Sequence, residues 1–341
     1  MTVLNEKQLL KNGKYRIERP LSPGRFTVSY VARRSDGERW VIKVLNPQLL
    51  ASLSPEERNR QETLFWQEAV KLSKCSGNPH IAKVGMPFKE GEFICLPTEY
   101  LDGNSLAERS ERKLLESTAL DYIRQIGEAL TLVHAQGLVH RDIRPGNIYL
   151  RIRQGKVEAV LTNFGLAVNT DTELSRTRRH ELTDGFSPIE LYSGFQKSGN
   201  LIGARTDVYS LAATLYELLT GETPCSVEDR KLNGQPLASP QSKNSAISGK
   251  TNDAILQGMN ILPEKRPRSV QQWLSKLKVK NENKERRPKQ EKSVDWGKWQ
   301  TIVAIIAIVA SLIVSIPSFI SSRPSGNKEH NSPSSVRDTA P

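Results

Sequence analysis

The spacing of hydrophobic and polar residues predicts strands in the first hundred residues of the chain. In "YRIERPLSPGRFTVSYVARRSDGERWVIKVL", Val28, Tyr30 and Ala32 alternate with more polar neighbours, and "SDG" predicts a turn before the strand "RWVIKVL". The later segment "EFICLPTEYL" is strand-like as well. A β-rich first part of the chain is therefore expected.

Helical spacing dominates the region after residue 105, and one helix is predicted earlier. In "SPEERNRQETLFWQEAVKLSKC", Ser54 is placed as the N-cap, Pro55 as the first helical residue and Glu57 as the partner in a capping box. Apolar positions three and four residues apart predict helices in "STALDYIRQIGEALTLVHAQG", ending at Gly137, and in "RTDVYSLAATLYELLTG", ending at Gly221. The pattern predicts an α+β protein with two lobes and a cleft between them.

A basic segment followed by an apolar segment changes the picture at the C-terminal end. The net charge is +12, and between Lys276 and Lys298 nine Lys or Arg residues face four Asp or Glu. No zinc-finger spacing, RNP-like aromatic pair or heptad-bearing basic helix accompanies this charge, so nucleic acid is not expected as a partner. The segment fits instead a linker beside an anionic membrane surface.

The apolar segment "TIVAIIAIVASLIVSIPSFI", residues 301–320, contains twenty residues without a charge. As a helix it would span about 30 Å, the thickness of a bilayer core, and Trp296 and Trp299 precede it. Seven Lys or Arg residues precede the segment between Lys280 and Lys298, against three after it. The excess predicts a single-pass membrane protein with residues before 300 in the cytoplasm and a short outside tail that need not fold.

The overall composition suits a globular protein in a reducing compartment. Hydrophobic residues make up 37% and charged residues 25% of the 341 positions. Cys75, Cys95 and Cys225 are too few and too scattered for a disulfide framework or a zinc cluster.

Several polar residues are candidates for chemistry, although each alone is a weak signal and a buried Lys–Glu pair is usually structural. Lys43 lies in the strand "VIKV", where burial is costly unless the ammonium is paired or binds an anion, and the following helix offers Glu68. In "HRDIRPGN", Asp142 and Asn147 are five residues apart on a loop that Pro145 and Gly146 constrain.

Further elements follow in a fixed order: "NFG" at residues 163–165, "GFSPIE" ending at Glu190, Asp207 at the start of the apolar helix, and Arg266 in "PEKRPRSV". In this order and at these separations the residues resemble the protein kinase family, over about residues 15–278. "GFSPIELYS", "RTDVYSLAATLYELLTGETP" and "KRPRSVQQWL" are similar to the bacterial-type, cyanobacterial-like Ser/Thr protein kinases.

The resemblance implies a kinase domain (15–278), with its N-lobe at about 15–100 and its C-lobe at about 101–278, after an N-terminal extension (1–14). The charge and apolar patterns add a basic linker (279–299), a transmembrane helix (300–320) and a disordered tail (321–341). The resemblance further implies ATP with Mg²⁺ or Mn²⁺ as cofactors and proteins bearing Ser or Thr as substrates. Self-association is left open.

The resemblance also implies roles for individual residues. Asp142 would accept the proton of the substrate hydroxyl, Lys43 would bind the α- and β-phosphates and pair with Glu68, and Arg144 would neutralise phosphate charge. Asn147 and Asn163 would hold the metal ion. In addition to Lys43 and Glu68, three kinds of position are expected around ATP. Thr98 would be the gatekeeper, Glu99 to Leu101 the hinge and Leu150 the pocket floor. The remaining residues expected there are Leu21, Ser22, Gly24, Phe26, Thr27, Ser29 and Val41.

Six residues would serve the fold rather than the chemistry. His140, Phe164 and Leu72 would stack as an apolar spine between the lobes, and Glu190 and Arg266 would form a buried ion pair that anchors the activation segment. Asp207 is expected to hold the fold as well. The arginine-rich run at 176–181 would be a solvated loop face, with Thr170, Thr172, Ser175, Thr177 and Thr183 nearby as candidate phosphosites.

The sequence departs from the family pattern at two places. At the three glycine positions of the phosphate loop the chain has Ser22, Gly24 and Thr27, so two glycines are lost, which predicts weaker or differently placed nucleotide binding. Asn163 stands where the family has a metal-binding aspartate. An amide oxygen can coordinate Mg²⁺ but brings no charge, and a loss on the order of 3 kcal/mol would slow transfer roughly a hundredfold.

The sequence therefore predicts a membrane-anchored Ser/Thr protein kinase that transfers the γ-phosphoryl of ATP, with activity reduced by Asn163. The alternative is a nucleotide-binding pseudokinase that acts as a membrane-tethered signalling scaffold. A small-molecule kinase is disfavoured, because "GFSPIE" and the long loop before it are typical of peptide-substrate kinases.

Overall fold

The computed structural model of this chain describes residues 4–23, 26–164, 184–192 and 202–277. The chain divides into two compact units, Met1–Val279 and Lys280–Pro341, and all described residues belong to the first. The predicted linker, transmembrane helix and tail, Gly24 and the candidate phosphosites lie outside the described residues. Among the described residues no helix has the length and apolarity needed to cross a membrane.

The first part of the unit is built on an antiparallel sheet. Its strands occur in the order β1-β2-β3-β4-β6-β5. Their bounds are β1 Leu9–Leu10, β2 Tyr15–Pro23, β3 Thr27–Arg34, β4 Arg39–Leu45, β5 Phe88–Glu90 and β6 Phe93–Glu99. The turn predicted at "SDG" connects β3 to β4, and Gly37 there has φ of 89°, which favours glycine. The predicted strands between residues 15 and 99 are thus present.

The N-terminal extension predicted at residues 1–14 is part of this sheet where it is described. Leu10 in β1 pairs with Tyr15 in β2, and Leu4 and Leu10 are both buried in the same apolar cluster as Tyr30. The backbone N–H of Leu4 lies 3.3 Å from the hydroxyl oxygen of Tyr30. The sequence prediction missed this strand because two residues are too few to show alternation.

One long helix packs on the N-terminal sheet, after the short helix α1 (Pro47–Ala51). The helix α2 spans Pro55–Ser73, and the Ser54 hydroxyl accepts a hydrogen bond from the backbone N–H of Glu57. This is the predicted N-cap. The Glu57 carboxylate accepts from the side chain of Gln61, one turn further along. Phe65, Ala69 and Leu72 form its buried face.

The second part is helical around one large apolar core. Its helices are α3 Glu116–Ala135, α4 Ala204–Thr220, α5 Val227–Leu232, α6 Pro240–Lys243, α7 Gly249–Gly258 and α8 Val270–Leu277. Nearly every residue of α4 is buried, so it is the central helix of this lobe. Gly137 and Gly221 follow the two predicted helices with φ of 70° and 73°, as their role in ending a helix requires.

A two-stranded hairpin lies between α3 and α4 in sequence. It is formed by β7 (Ile148–Arg153) and β8 (Lys156–Leu161). The loop before β7 carries Asp142 and Asn147, and Asn163 follows β8 by two residues. The hairpin therefore brings the two asparagines of the predicted metal site together. A β-rich lobe followed by a helical lobe confirms the predicted bilobal architecture.

Candidate active site

A cavity of about 570 Å³ lies between the sheet of the first lobe and the hairpin of the second. Its size suits a nucleotide-sized ligand. Ten of the residues predicted to surround ATP line it, namely Leu21, Ser22, Phe26, Thr27, Ser29, Val41, Lys43, Thr98, Glu99 and Leu101. Leu72, Asp142, Asn163 and Phe164 line it too. Residues far apart in the sequence thus meet around one cavity, as the sequence predicted.

The floor of this cavity differs from the prediction by one residue. Tyr149, not Leu150, lines the cavity. Successive strand residues point to opposite faces, so a shift of one residue reverses the side of β7 that is exposed to the cleft. Leu150 packs against the core of the helical lobe, and its backbone N–H donates to the carbonyl of Asn104 at 3.1 Å.

The ion pair predicted between Lys43 and Glu68 is also not what the described residues show. Nζ of Lys43 donates to Oδ1 of Asn163 at 2.8 Å. Glu68 lies near the Arg141 guanidinium, where its charge raises the arginine's pKa against the lowering effect of burial. The orientation of α2 on the sheet decides which cation Glu68 approaches, and the local sequence does not contain this information.

Burial also changes the ionisation of Lys43. It lowers the pKa of this ammonium to about 8, and the Asp142 carboxylate acts in the opposite direction. The lysine therefore carries a charge that the folded protein accommodates at a cost. An anion bound in the cavity would relieve that cost.

The Asp142 carboxylate is held from two sides within its own loop. Its Oδ2 accepts from Nδ2 of Asn147 at 2.6 Å, and its Oδ1 accepts from Nε of Arg144 at 3.1 Å. Asn147 also donates to the Asp142 backbone carbonyl at 2.7 Å and is buried. Arg144, predicted to face the phosphates, is thus paired with Asp142 and does not itself line the cavity.

Asn163 connects Lys43 to this loop. Its Nδ2 donates to Oδ1 of Asn147 at 2.9 Å, while its Oδ1 accepts from Lys43. We call the series Lys43, Asn163, Asn147 and Asp142 the cleft relay. Asn163 has φ of 53°, in the left-handed region that asparagine tolerates better than most residues.

The predicted metal ligands offer a poor donor set for a divalent cation in this arrangement. Oδ1 of Asn147 and Oδ1 of Asn163 are neutral, and each already accepts a hydrogen bond. Mg²⁺ sites in proteins usually include a carboxylate. Among the described residues no group of three His, Cys, Asp or Glu side chains could hold a metal ion.

The predicted spine residues meet below the cavity. The rings of His140 and Phe164 are 4.7 Å apart, and Phe164 also packs against the apolar cluster that contains Leu72. Nδ1 of His140 accepts from the Asp142 backbone N–H, and Nε2 lies 2.9 Å from the carbonyl of Thr162. Burial lowers the pKa of His140, so the neutral ring fits both contacts.

Asp207, in the helical lobe, holds the start of the loop that carries Asp142 and Asn147. Its carboxylate accepts from the backbone N–H groups of His140 and Arg141, both at 2.9 Å, and lies 2.7 Å from Nε2 of His134. Burial alone would raise the pKa of Asp207, but His134 and these other contacts hold it below its usual value. Asp207 is therefore a positioning residue.

The second fold-holding contact is the pair of Glu190 and Arg266, which we call the anchor pair. NH1 and NH2 of the arginine donate to the two carboxylate oxygens at 2.7 and 3.1 Å, and both side chains are 0% exposed. Remaining guanidinium hydrogens bind the backbone carbonyls of Arg205, Asn260 and Ile261. The ion pair predicted from the sequence is thus present.

Sequence reasoning missed several residues of the cavity wall. These are Ala82, Val84, Leu96, Gly103, Glu108, Tyr149 and Thr162, whereas Tyr100 lies within the predicted hinge. Leu96 lies in β6 opposite Lys43 of β4, and Val84 bridges Thr98 of β6, so the pairing around β6 could have indicated both. Glu108 reaches the cavity from a 3₁₀ turn capped by Ser105, which no sequence pattern connected to the cleft.

Comparison with known proteins agrees with this geometry. The family model for the protein kinase domain matches residues 15–292. Serine/threonine-protein kinase Pkn1 of Myxococcus xanthus is 29% identical, covering 78% of this chain and 38% of its own length. Serine/threonine-protein kinase B of Synechocystis is 26% identical, covering 79% of this chain and 47% of its own. PknJ of Mycobacterium tuberculosis is 33% identical, covering 62% and 34%.

The chain spans less than half of the length of the curated relatives it matches. The covered share runs from 26% for the M. xanthus kinase pkn2 to 47% for the Synechocystis kinase. Solved structures share the fold as well. The M. tuberculosis PknI kinase domain covers 81% of this chain and 98% of its own, with a TM-score of 0.57 and 21% identity. The structure named PpkA-294 apo form covers 81% and 99%, with a TM-score of 0.63 and 22% identity. The curated relatives it matches carry the names of bacterial serine/threonine-protein kinases, and the chain itself belongs to the protein kinase family.

Proposed function

We propose that this protein transfers the γ-phosphoryl group of ATP to Ser or Thr hydroxyls of protein substrates. The observation that carries the proposal is the Asp142 carboxylate, which lines the same cavity as Lys43 and is oriented by Asn147 and Arg144. A carboxylate fixed in this way can accept a proton while keeping its position.

The transfer follows from the positions of these groups. The substrate hydroxyl oxygen forms a bond to the γ-phosphorus as the bond from that phosphorus to the β–γ bridging oxygen breaks, and ADP leaves with the electron pair. The hydroxyl proton passes to Asp142, whose oxygens keep lone pairs beside the bonds they already accept. Lys43 supplies the positive charge that would attract the phosphates of the nucleotide.

The adenine base of ATP would lie at the end of the cavity next to β6. Thr98, Glu99 and Leu101 line this end of the cavity, and Tyr149 lies beneath it. Glu99 is held by Arg151 at 3.3 Å and by the backbone N–H of Lys83, so the segment is fixed before a nucleotide enters. Mg²⁺ or Mn²⁺, which the family generally uses with ATP, would have to approach through Asn147 and Asn163.

The test is phosphate transfer from γ-labelled ATP by the purified full-length chain, compared with Asp142→Asn. General-base residues contribute about a hundredfold or more, so incorporation by the variant should fall by at least that factor. The amide keeps the shape of the carboxylate, and thermal unfolding checks that the variant is folded. Equal incorporation by the two proteins would rule out the role of Asp142.

The second candidate function is a pseudokinase that binds nucleotide and acts as an interaction module. One observation favours it, namely that the amide oxygens of Asn147 and Asn163 are already engaged by hydrogen bonds. This function predicts stabilisation by ATP without incorporation above the Asp142→Asn level. Robust phosphorylation of an added protein substrate would exclude it.

We further propose that residues 300–320 anchor the domain to a membrane, with the domain on the cytoplasmic side and the basic linker against anionic lipid. The uncharged length of the segment and the basic residues before it support the proposal. Full-length protein should remain in the membrane fraction after high-salt and carbonate washes. Release by either wash would contradict a spanning helix.

A further inference from the structure

We infer that the cleft binds free ATP, without a divalent cation, about as tightly as it binds the metal complex. The inference rests on the proposed function only in that ATP is taken as the ligand. Its basis is the cleft relay, in which the Asn163 amide accepts from Lys43 and donates to Asn147. A carboxylate at 163 would face Oδ1 of Asn147 as a second acceptor unless a cation lay between the two.

The relay has only one consistent direction. The Lys43 ammonium can only donate, so it fixes Oδ1 of Asn163 toward itself and turns Nδ2 of Asn163 toward Asn147. Asn147 must then present Oδ1 to Asn163, which leaves its Nδ2 for Asp142. The Asp142 carboxylate can only accept. A fixed donor at one end and a fixed acceptor at the other determine the orientation of both amides between them.

An aspartate at position 163 would break this series. Its carboxylate can only accept, and it would face Oδ1 of Asn147 at the present distance of 2.9 Å. Two acceptors at that distance repel each other unless a cation lies between them or Asn147 reverses. Reversal of Asn147 would replace its 2.6 Å donation to Asp142 with a second repulsive contact. Asparagine at 163 therefore completes the hydrogen bonds of the cleft relay without a metal ion.

The charges around the phosphate end of the cavity lead to the same conclusion. Asp142 is the carboxylate of the relay, and Arg144 at 3.1 Å partly offsets its charge. The other acidic residues of the cavity wall have partners of their own, since Glu99 pairs with Arg151 and Glu108 accepts from Ser105. A cation normally screens the phosphates from a metal-binding carboxylate. With an amide at 163 there is less repulsion to screen and less affinity for the cation.

Calorimetric titration of the purified full-length chain with ATP tests the inference directly. One titration is made with excess EDTA and the other with excess MgCl₂. For the wild-type protein we expect the two dissociation constants to agree within about threefold, because neither the relay nor the charge balance requires a cation. An affinity at least tenfold weaker in EDTA would overturn the inference.

The variant Asn163→Asp provides the contrast. We expect its affinity for ATP in EDTA to fall at least tenfold below its affinity in MgCl₂, since the new carboxylate repels the phosphates until a cation binds. The matched control is Asn5→Asp, which adds the same charge at an exposed position outside the cavity wall and should behave as the wild type. Equal affinities for Asn163→Asp in the two buffers would also overturn the inference.

The result remains interpretable if Asn163→Asp does not fold, because the two wild-type titrations alone decide the question. Failure of the proposed function gives a different result. Absence of binding in both buffers would refute ATP as the ligand and the inference with it, whereas binding that requires Mg²⁺ would refute the inference alone.

Discussion

The anchor pair and the cleft relay solve the problem of keeping polar side chains inside a protein in different ways. Glu190 and Arg266 are both charged and 0% exposed, and hydrogen bonds from two guanidinium nitrogens join them. The relay connects a lysine to an aspartate that is 37% exposed, through two neutral amides. A buried charge without its partner is very costly, whereas a group beside a water-filled cleft can lose a partner at a small cost. The anchor pair should therefore determine stability, and the relay should determine ligand binding.

Removal of one member of the anchor pair should have the largest effect. Arg266→Ala leaves Glu190 buried and without its main partner, which typically costs about 3–5 kcal/mol in the free energy of unfolding. Urea unfolding of the full-length chain measures this loss. The control Arg124→Ala removes an exposed pair with Asp121 and should cost less than about 1 kcal/mol. Similar losses for the two variants would show that burial does not make the anchor pair special.

Asp207→Asn should have the next largest effect, because it removes a charged acceptor that serves three donors. The carboxylate accepts from the backbone N–H groups of His140 and Arg141 and contacts His134. An asparagine NH₂ group would face at least one of these donors, so we expect a loss of about 2 kcal/mol. Urea unfolding again provides the measurement, with the exposed Asp36→Asn as the control. A loss below about 0.5 kcal/mol would contradict the positioning role of Asp207.

The comparison also shows which features a sequence can predict. The anchor pair and the ring contact between His140 and Phe164 were predicted correctly, because they accompany fixed motifs whose order carries the fold. The error at Leu150 was one of strand register, where a shift of a single residue exchanges the two faces. The pair of Lys43 with Glu68 was predicted from separate segments. Its absence from the described residues depends on how α2 packs, which only tertiary structure determines.

Lys43→Met should change binding much more than stability. Burial lowers the pKa of Lys43 to about 8, which shows that the folded protein disfavours its charge. Methionine keeps the apolar length of the side chain and loses one hydrogen bond to Asn163, so the free energy of unfolding should change by less than about 1 kcal/mol. ATP affinity should fall at least about tenfold, because the phosphates lose their cation. Calorimetry and urea unfolding of the same preparation measure both quantities. A stability loss of the size expected for Arg266→Ala would show that Lys43, like the anchor pair, determines stability.

The smallest effect should be a dependence of stability on pH that arises at His140. This residue contacts Asp207 in the helical lobe and Asp142 of the cleft relay. Burial lowers the pKa of His140, with Asp207, the Thr162 carbonyl and Asp142 acting against this shift and Lys43 acting with it. As the pH falls below about 6.5, the unfolded chain binds a proton that the folded chain does not, so the folded state loses stability. The melting temperature of the wild type should therefore decrease between pH 7.5 and pH 5.5.

In His140→Phe the melting temperature should be lower at pH 7.5, because the Asp142 N–H and the Thr162 carbonyl lose a partner. Its decrease toward pH 5.5 should nevertheless be smaller, because the other titrating groups are the same in both proteins. Equal or steeper pH dependence in the variant would mean that His140 takes up its proton in the folded protein and does not couple the two regions in this way.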